Sequence, residues 1–138
     1  MNNLSEPSQT LSLRALVKRL LEEHRDFSSK VHILNQSIDD FELSKISEVF
    51  VPFREALIEH MLVEESEIFP EVSRLGFFDE RISEIMQQHV DITAALDEFR
   101  FSMHRKNLQD IKNAFDELVR LMNIHFPAEE KEVFTLIN

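Results

Sequence analysis

The chain has 138 residues, 43% of them hydrophobic, which is enough to fill one core and predicts a single domain over residues 1–138. A net charge of −11 disfavours binding to nucleic acid or to an anionic membrane surface. Because there is no cysteine, disulfides, thiolate-bound zinc and a protein-ligated iron–sulfur cluster are excluded, and any metal must take nitrogen and oxygen ligands.

Four segments show apolar residues at three- and four-residue steps, the spacing of an amphipathic helix. The first predicted helix covers residues 10–37, after a flexible N-terminus at 1–9, and the second covers 43–75. The third lies between Asp79 and Arg105, and the fourth runs from Leu108 nearly to the C-terminus. Because short connections make successive helices antiparallel, we expect an all-α, up-down-up-down four-helix bundle built from two similar helical hairpins.

Three prolines fall inside these segments. Pro70 and Pro127 each remove an intrahelical hydrogen bond, so we expect a kink at each. For Pro52 an alternative stays open, in which the second helix begins near the proline and residues 43–51 form a looser connection.

An internal repeat with an offset of 65 residues relates the two hairpins. It aligns histidines with histidines and acidic residues with acidic residues. The aligned pairs are His24 and His89, Asp26 and Asp91, His60 and His125, Glu64 and Glu129, Glu65 and Glu130, Glu67 and Glu132, and Phe69 and Phe134.

Six residues of this repeat lie on the apolar faces of the predicted helices. In the second and fourth helices a histidine precedes a glutamate by four residues, so both project from one face. A bundle brings these pairs together with one histidine from each of the other two helices. Because buried carboxylates without cationic partners are costly, a bound metal would stabilise the set. The predicted metal ligands are His24, His60, Glu64, His89, His125 and Glu129.

The ligand types favour iron, and their number favours two ions. Imidazole and carboxylate suit iron, manganese or zinc, but six ligands exceed the needs of one structural zinc. If Glu64 and Glu129 bridge, each iron receives two histidines and two carboxylate oxygens, with room for a shared oxide or hydroxide and an open position. The adjacent Glu65 and Glu130 remain alternatives as ligands.

The stretches HMLVEESEIFP at 60–70 and HFPAEEKEVF at 125–134 resemble the hemerythrin-like family of histidine–histidine–glutamate cation-binding domains. The resemblance implies a non-haem di-iron centre that binds or reacts with dioxygen, nitric oxide or peroxide. Oxygen-carrying hemerythrins have a fifth histidine and an aspartate where this chain has Thr93 and Glu130. The ligand set is more similar to that of the di-iron proteins that repair iron–sulfur clusters, which implies a role in oxidative or nitrosative stress.

Other classes fit the sequence less well. Ferritin-like bundles use Glu-x-x-His, but apolar residues lie three positions before each of the four histidines, and without tyrosine a tyrosyl radical is excluded within the chain. His32 and His104 lack a histidine at the repeat offset and are predicted to lie at the surface. A sensor or iron-handling module without turnover remains an alternative function, as does a metal-free interaction domain. We expect a cytoplasmic protein, with its protein partner unknown.

Overall fold

The computed structural model describes residues 5–76 and 79–137, which form an all-α four-helix bundle. The elements are α1 (Ser5–Asp39), α2 (Leu43–Val63), a π-helical turn (Glu64–Ile68), α3 (Phe69–Arg74), α4 (Asp79–Arg105), α5 (Leu108–Glu132) and a 3₁₀ turn (Phe134–Leu136). Helices α1 and α2 pack as one hairpin and α4 and α5 as another, and contacts between α1 and α5 and between α2 and α4 close the ring.

The start of the first helix differs from the prediction, whereas the start of the second agrees with it. The first helix begins at Ser5 instead of near residue 10, and residues 1–4 of the predicted flexible N-terminus lie outside the described residues. The second helix begins at Leu43, so Pro52 lies well inside it. The alternative that residues 43–51 form a loose connection is therefore wrong. Because Pro52 is exposed, water can solvate the backbone carbonyl that the proline leaves without a donor.

At Pro70, where a kink was predicted, the backbone departs from α-helical geometry just before the proline. The π-helical turn precedes the proline, and the Phe69 N–H donates to the Glu64 carbonyl five residues back. Since Pro70 has no N–H, the usual donor to the Ser66 carbonyl is missing. Pro127, by contrast, does not end its helix, because α5 runs on to Glu132.

Two apolar clusters fill the bundle, one on each side of a layer of buried polar residues. The hairpin-end core lies toward the α1–α2 and α4–α5 turns and contains Phe27, Leu34, Ile46, Phe50, Phe53, Leu57, Ile92, Leu96, Phe99, Ile111, Leu118, Met122 and Phe126 among others. The smaller terminal-end core contains Val17, Leu20, Ile68, Phe69, Val72, Ile82, Ile85, Val133, Phe134 and Ile137. Among the described residues, no helix is both long and apolar enough to cross a membrane.

Candidate metal centre

All six predicted ligands lie in the polar layer between the two cores, and none has more than 3% of its surface exposed. They come from α1, α2, the π-helical turn, α4 and α5. Their nitrogen and oxygen atoms form two overlapping groups, each with all atoms within 4.8 Å of one another, and Glu64 and Glu129 belong to both. One group adds His24 and His60, which we call the first half-site, and the other adds His89 and His125, the second half-site.

Each carboxylate directs one oxygen toward each half-site. The relevant nitrogen–oxygen distances are 2.9 Å for His60 Nε2 to Glu64 Oε2, 3.1 Å for His89 Nε2 to Glu64 Oε1, 3.1 Å for His24 Nε2 to Glu129 Oε1 and 3.3 Å for His125 Nε2 to Glu129 Oε2. This is the placement that two carboxylates shared between two cations require.

The other ring nitrogen of each histidine, Nδ1, has a hydrogen-bond acceptor farther from the centre. Each Nδ1 lies 2.7 Å from a side-chain oxygen, pairing His24 with Glu130, His60 with Glu23, His89 with Glu65 and His125 with Gln88. We call Glu130, Glu23, Glu65 and Gln88 the outer acceptors. A carboxylate can only accept, so Nδ1 carries the hydrogen and Nε2 of a neutral ring presents a lone pair to the centre.

At the centre, hydrogen-bond acceptors therefore lie opposite other acceptors. His24 Nε2 and His60 Nε2 are 3.1 Å apart, and neither has a proton to share when both rings donate through Nδ1. Buried atoms without a hydrogen-bond partner include both carboxylate oxygens of Glu64, one oxygen of Glu129, and Nε2 of His89 and of His125. Such an arrangement is costly by itself, and these residues fit a bound cation, which would satisfy the converging lone pairs.

Burial sets the protonation of these groups in the metal-free protein. It lowers the pKa of His60 to about 4, against the raising effect of the hydrogen bond to Glu23, so the ring is neutral at pH 7. Burial, followed by the charge of Glu129, raises the pKa of Glu64 well above its usual range. Burial also acts to raise the pKa of Glu129, but the neighbouring Glu64 carboxyl and then the imidazoles of His125, His24 and His89 outweigh it and hold that pKa low. The metal-free carboxylate pair thus keeps one proton, which a cation would displace.

Phenylalanine rings surround the histidines. Phe126 stacks on His24 with ring centroids 4.1 Å apart, and Phe27 meets His60 edge-on at 5.2 Å. On the other side Phe69 lies 5.5 Å from His89. These rings fix the imidazoles and keep the surroundings apolar, which strengthens electrostatic interactions inside the centre.

Comparison with known proteins agrees with this geometry. The model of the hemerythrin HHE cation-binding domain matches residues 15–137, nearly the whole chain. The chain belongs to this family. No curated protein and no solved structure was found to match it.

Within this hemerythrin domain the adjacent glutamates separate by position. Glu64 and Glu129 are fully buried between the half-sites, whereas Glu65 and Glu130 lie outside them as outer acceptors. The geometry thus does not favour Glu65 or Glu130 as the bridging carboxylate. His32 and His104 are exposed, as predicted.

An open cavity of about 530 Å³ reaches the second half-site of the hemerythrin domain. His89 and Glu65 line it, together with Thr93, one helical turn after His89, and the apolar residues Leu62 and Val90. Thr93 is at the position where oxygen-carrying hemerythrins have their fifth histidine, and its hydroxyl donates to the backbone carbonyl of His89 at 2.9 Å. The cavity therefore lies beside the second half-site, next to a ring whose Nε2 atom is itself buried.

Sequence reasoning missed the roles of Glu23 and Gln88 as outer acceptors. Each immediately precedes the histidine of its own helix and reaches a histidine on the neighbouring helix. The signal was available, because the repeat offset of 65 residues aligns Glu23 with Gln88. Because the aligned residues differ in charge, they do not stand out among the identical and acidic pairs of the repeat.

Proposed function

We propose that this hemerythrin domain binds two iron ions between His24, His60, Glu64, His89, His125 and Glu129, and that the loaded centre binds or reacts with a small ligand. Dioxygen, nitric oxide and peroxide are the ligand classes considered. The observation that supports the proposal best is the convergence of unprotonated Nε2 atoms and buried carboxylates within 4.8 Å of one another.

The donor set favours iron over the alternatives. Imidazole and carboxylate are intermediate and hard ligands, without the thiolates that favour zinc or copper(I). When bound, iron supplies Lewis acidity and electrons, so no protein nucleophile is needed.

The protein contributes orientation and restricted access. The outer acceptors hold the hydrogen on Nδ1 and so keep Nε2 free for the metal. The phenylalanines limit water, while the cavity beside His89 and Thr93 admits something small. Because Thr93 offers no ring nitrogen, that position is not filled by a fifth imidazole, which favours reaction over stable reversible oxygen carriage.

Elemental analysis after anaerobic loading with Fe²⁺ tests the metal content. The intact chain is expected to retain about two irons, as in other bundles with a two-metal carboxylate site. His60→Ala and His125→Ala should each lower the iron content, because each removes a nitrogen ligand from one half-site. His32→Ala and His104→Ala are matched controls, since both histidines are exposed, and should leave it unchanged. Fewer than about one iron per chain in the intact protein would contradict the proposal.

Measuring turnover distinguishes an enzyme from a sensor or an iron-handling module. Catalytic loss of nitric oxide or hydrogen peroxide under excess reductant would make the protein an enzyme of the oxidative or nitrosative stress response. Stoichiometric binding without turnover would make it a sensor or an iron-handling module. Restoration of a damaged iron–sulfur cluster by the iron-loaded protein, and not by its His60→Ala variant, would support the similarity to the repair proteins.

A further inference from the structure

The outer acceptors follow the internal repeat in geometry but not in charge. Glu130 and Glu65 are related by the 65-residue offset, and each accepts from the histidine on the inner face of α1 or α4. Glu23 and Gln88 are related by the same offset and accept from His60 and His125. All four distances are 2.7 Å, so the only difference is that an amide takes the place of one carboxylate.

The two half-sites therefore differ in the charge that supports their imidazoles. In the first half-site both histidines donate to carboxylates, Glu130 and Glu23. In the second, His89 donates to Glu65 but His125 donates to the neutral Gln88. A hydrogen bond to a carboxylate is stronger than one to an amide and makes the imidazole a more basic ligand.

We propose that the His24–His60 half-site binds the first divalent cation and the His89–His125 half-site the second, and that the exchange of Glu23 for Gln88 between the repeats sets this order. The inference rests on the proposed two-metal function. The open cavity is lined by His89, so it lies beside the half-site that this proposal fills second.

Neighbouring surface charges oppose this difference only weakly. Arg19 lies 3.4 Å from Glu23, but its side chain is 56% exposed, and exposed ion pairs are screened by water. The repeat aligns Arg19 with Glu84, which lies one turn before Gln88 and pairs with Arg81 at 2.9 Å. Neither arginine nor Glu84 is in direct hydrogen-bond contact with a histidine of the centre, whereas Glu23 and Gln88 are.

Anaerobic calorimetric titration with Fe²⁺ tests the order of binding. The intact protein should show two steps that differ by more than the statistical factor for equal sites. Glu23→Gln should weaken the tighter step by roughly 10- to 100-fold, the usual effect of removing an outer partner of a metal-bound histidine, and leave the weaker step nearly unchanged. Gln88→Glu should strengthen the weaker step, and the double variant should bind first at the second half-site.

Matched variants separate direct contact from net charge. Glu22→Gln removes the same charge from an exposed neighbour of Glu23, and Gln87→Glu adds the same charge beside Gln88 at the exposed Gln87. Neither should change the gap between the two steps. The gain of affinity in Gln88→Glu cannot arise from misfolding, so this variant keeps the test decisive if Glu23→Gln is unstable.

The outcomes distinguish the two proposals. If no Fe²⁺ binds, the proposed function itself fails. If two ions bind in equivalent steps, or if Glu23→Gln weakens only the weaker step, the function stands and the proposed order is wrong. The proposed order would also be wrong if Glu22→Gln changed Fe²⁺ binding as much as Glu23→Gln, or if Gln87→Glu changed it as much as Gln88→Glu.

Discussion

Glu64 is a fully buried carboxyl group whose pKa is raised first by burial and then by the charge of Glu129. Below pH 4.5, the value of an ordinary glutamate, the folded and unfolded chains both carry its proton. As the pH rises above that value, the unfolded chain ionises and the folded chain does not, so the metal-free protein loses stability with pH. In the proposed metal centre the same carboxyl must ionise to bind a cation, so metal binding and metal-free stability would make opposite demands on it.

Glu64→Gln should therefore stabilise the metal-free protein and abolish normal metal binding. The amide cannot ionise, so the stability of the variant relative to the intact protein should rise with pH above about 4.5. The gain should be larger at pH 8 than at pH 5, because the folded chain keeps the Glu64 proton over a pH range in which the unfolded chain has lost it. Urea unfolding of both metal-free proteins between pH 5 and pH 8 measures the difference.

The control is Glu59→Gln, which removes a carboxyl from an exposed position on α2. It has no burial cost to relieve, so its relative stability should stay flat over the same pH range. A metal-free Glu64→Gln protein that is less stable than the intact one at pH 8 would show that Glu64 is ionised in the folded state.

Spacing alone predicts which helix faces reach the centre, because His60 and Glu64 share a face whatever the partner helix does. It does not predict the outer acceptors. Glu23 and Gln88 each bind a histidine on another helix, and this depends on how far neighbouring helices rotate and shift against each other. The rotation of neighbouring helices also decides which of two adjacent glutamates points inward. Glu64 is buried at the centre, whereas Glu65 accepts a hydrogen bond outside it.

At the scale of whole elements, apolar periodicity predicts four helices because each buries a continuous stripe against the others. Their boundaries depend on weaker local effects. The start of α2 at Leu43 has an extended residue, Glu42, at the N-cap position without a side-chain hydrogen bond, so no cap signal identifies it in the sequence. The start of α5 does have such a cap, since the side chain of Asn107 accepts from the Asp110 N–H at 3.0 Å.

Asn107→Ala should lower the free energy of unfolding by about 1 kcal/mol, the usual cost of losing an N-cap side chain. Thermal or urea unfolding of the metal-free protein measures this. Iron content should not change, because Asn107 lies in the turn between α4 and α5, beyond the hairpin-end core from the metal centre.

Glu42→Ala is the matched control at the other hairpin turn. Because the Glu42 side chain makes no capping hydrogen bond, its loss should change stability by much less than the Asn107 substitution. Both variants should be compared at high salt, which screens the interaction of the Glu42 charge with the start of the helix. Equal losses in the two variants would mean that the Asn107 hydrogen bond is not what stabilises the start of α5.

Across the whole molecule, the polar layer divides the apolar interior into two unequal parts. The terminal-end core is the smaller, and it includes the short α3 and the 3₁₀ turn, so it has less apolar burial to hold it together. Ile68 lies in the same π-helical turn as Glu64, and Val133 follows Glu129 by four residues. We therefore expect opening of the terminal end to displace both Glu64 and Glu129, as global unfolding would.

Hydrogen exchange should show this arrangement directly. In the metal-free protein, amides near Ile82–Ile85 and Val133–Ile137 should exchange faster than those near Ile111–Leu118. Loading with iron should slow exchange at both ends by a similar factor, because a ligand that binds only the intact centre stabilises it against every opening that breaks the centre. The His125→Ala variant, incubated with the same iron, should show less slowing, because it loses a ligand of the second half-site. Protection confined to the residues beside the ligands would mean that each end opens without disturbing the centre, and that the metal is not what joins the two cores.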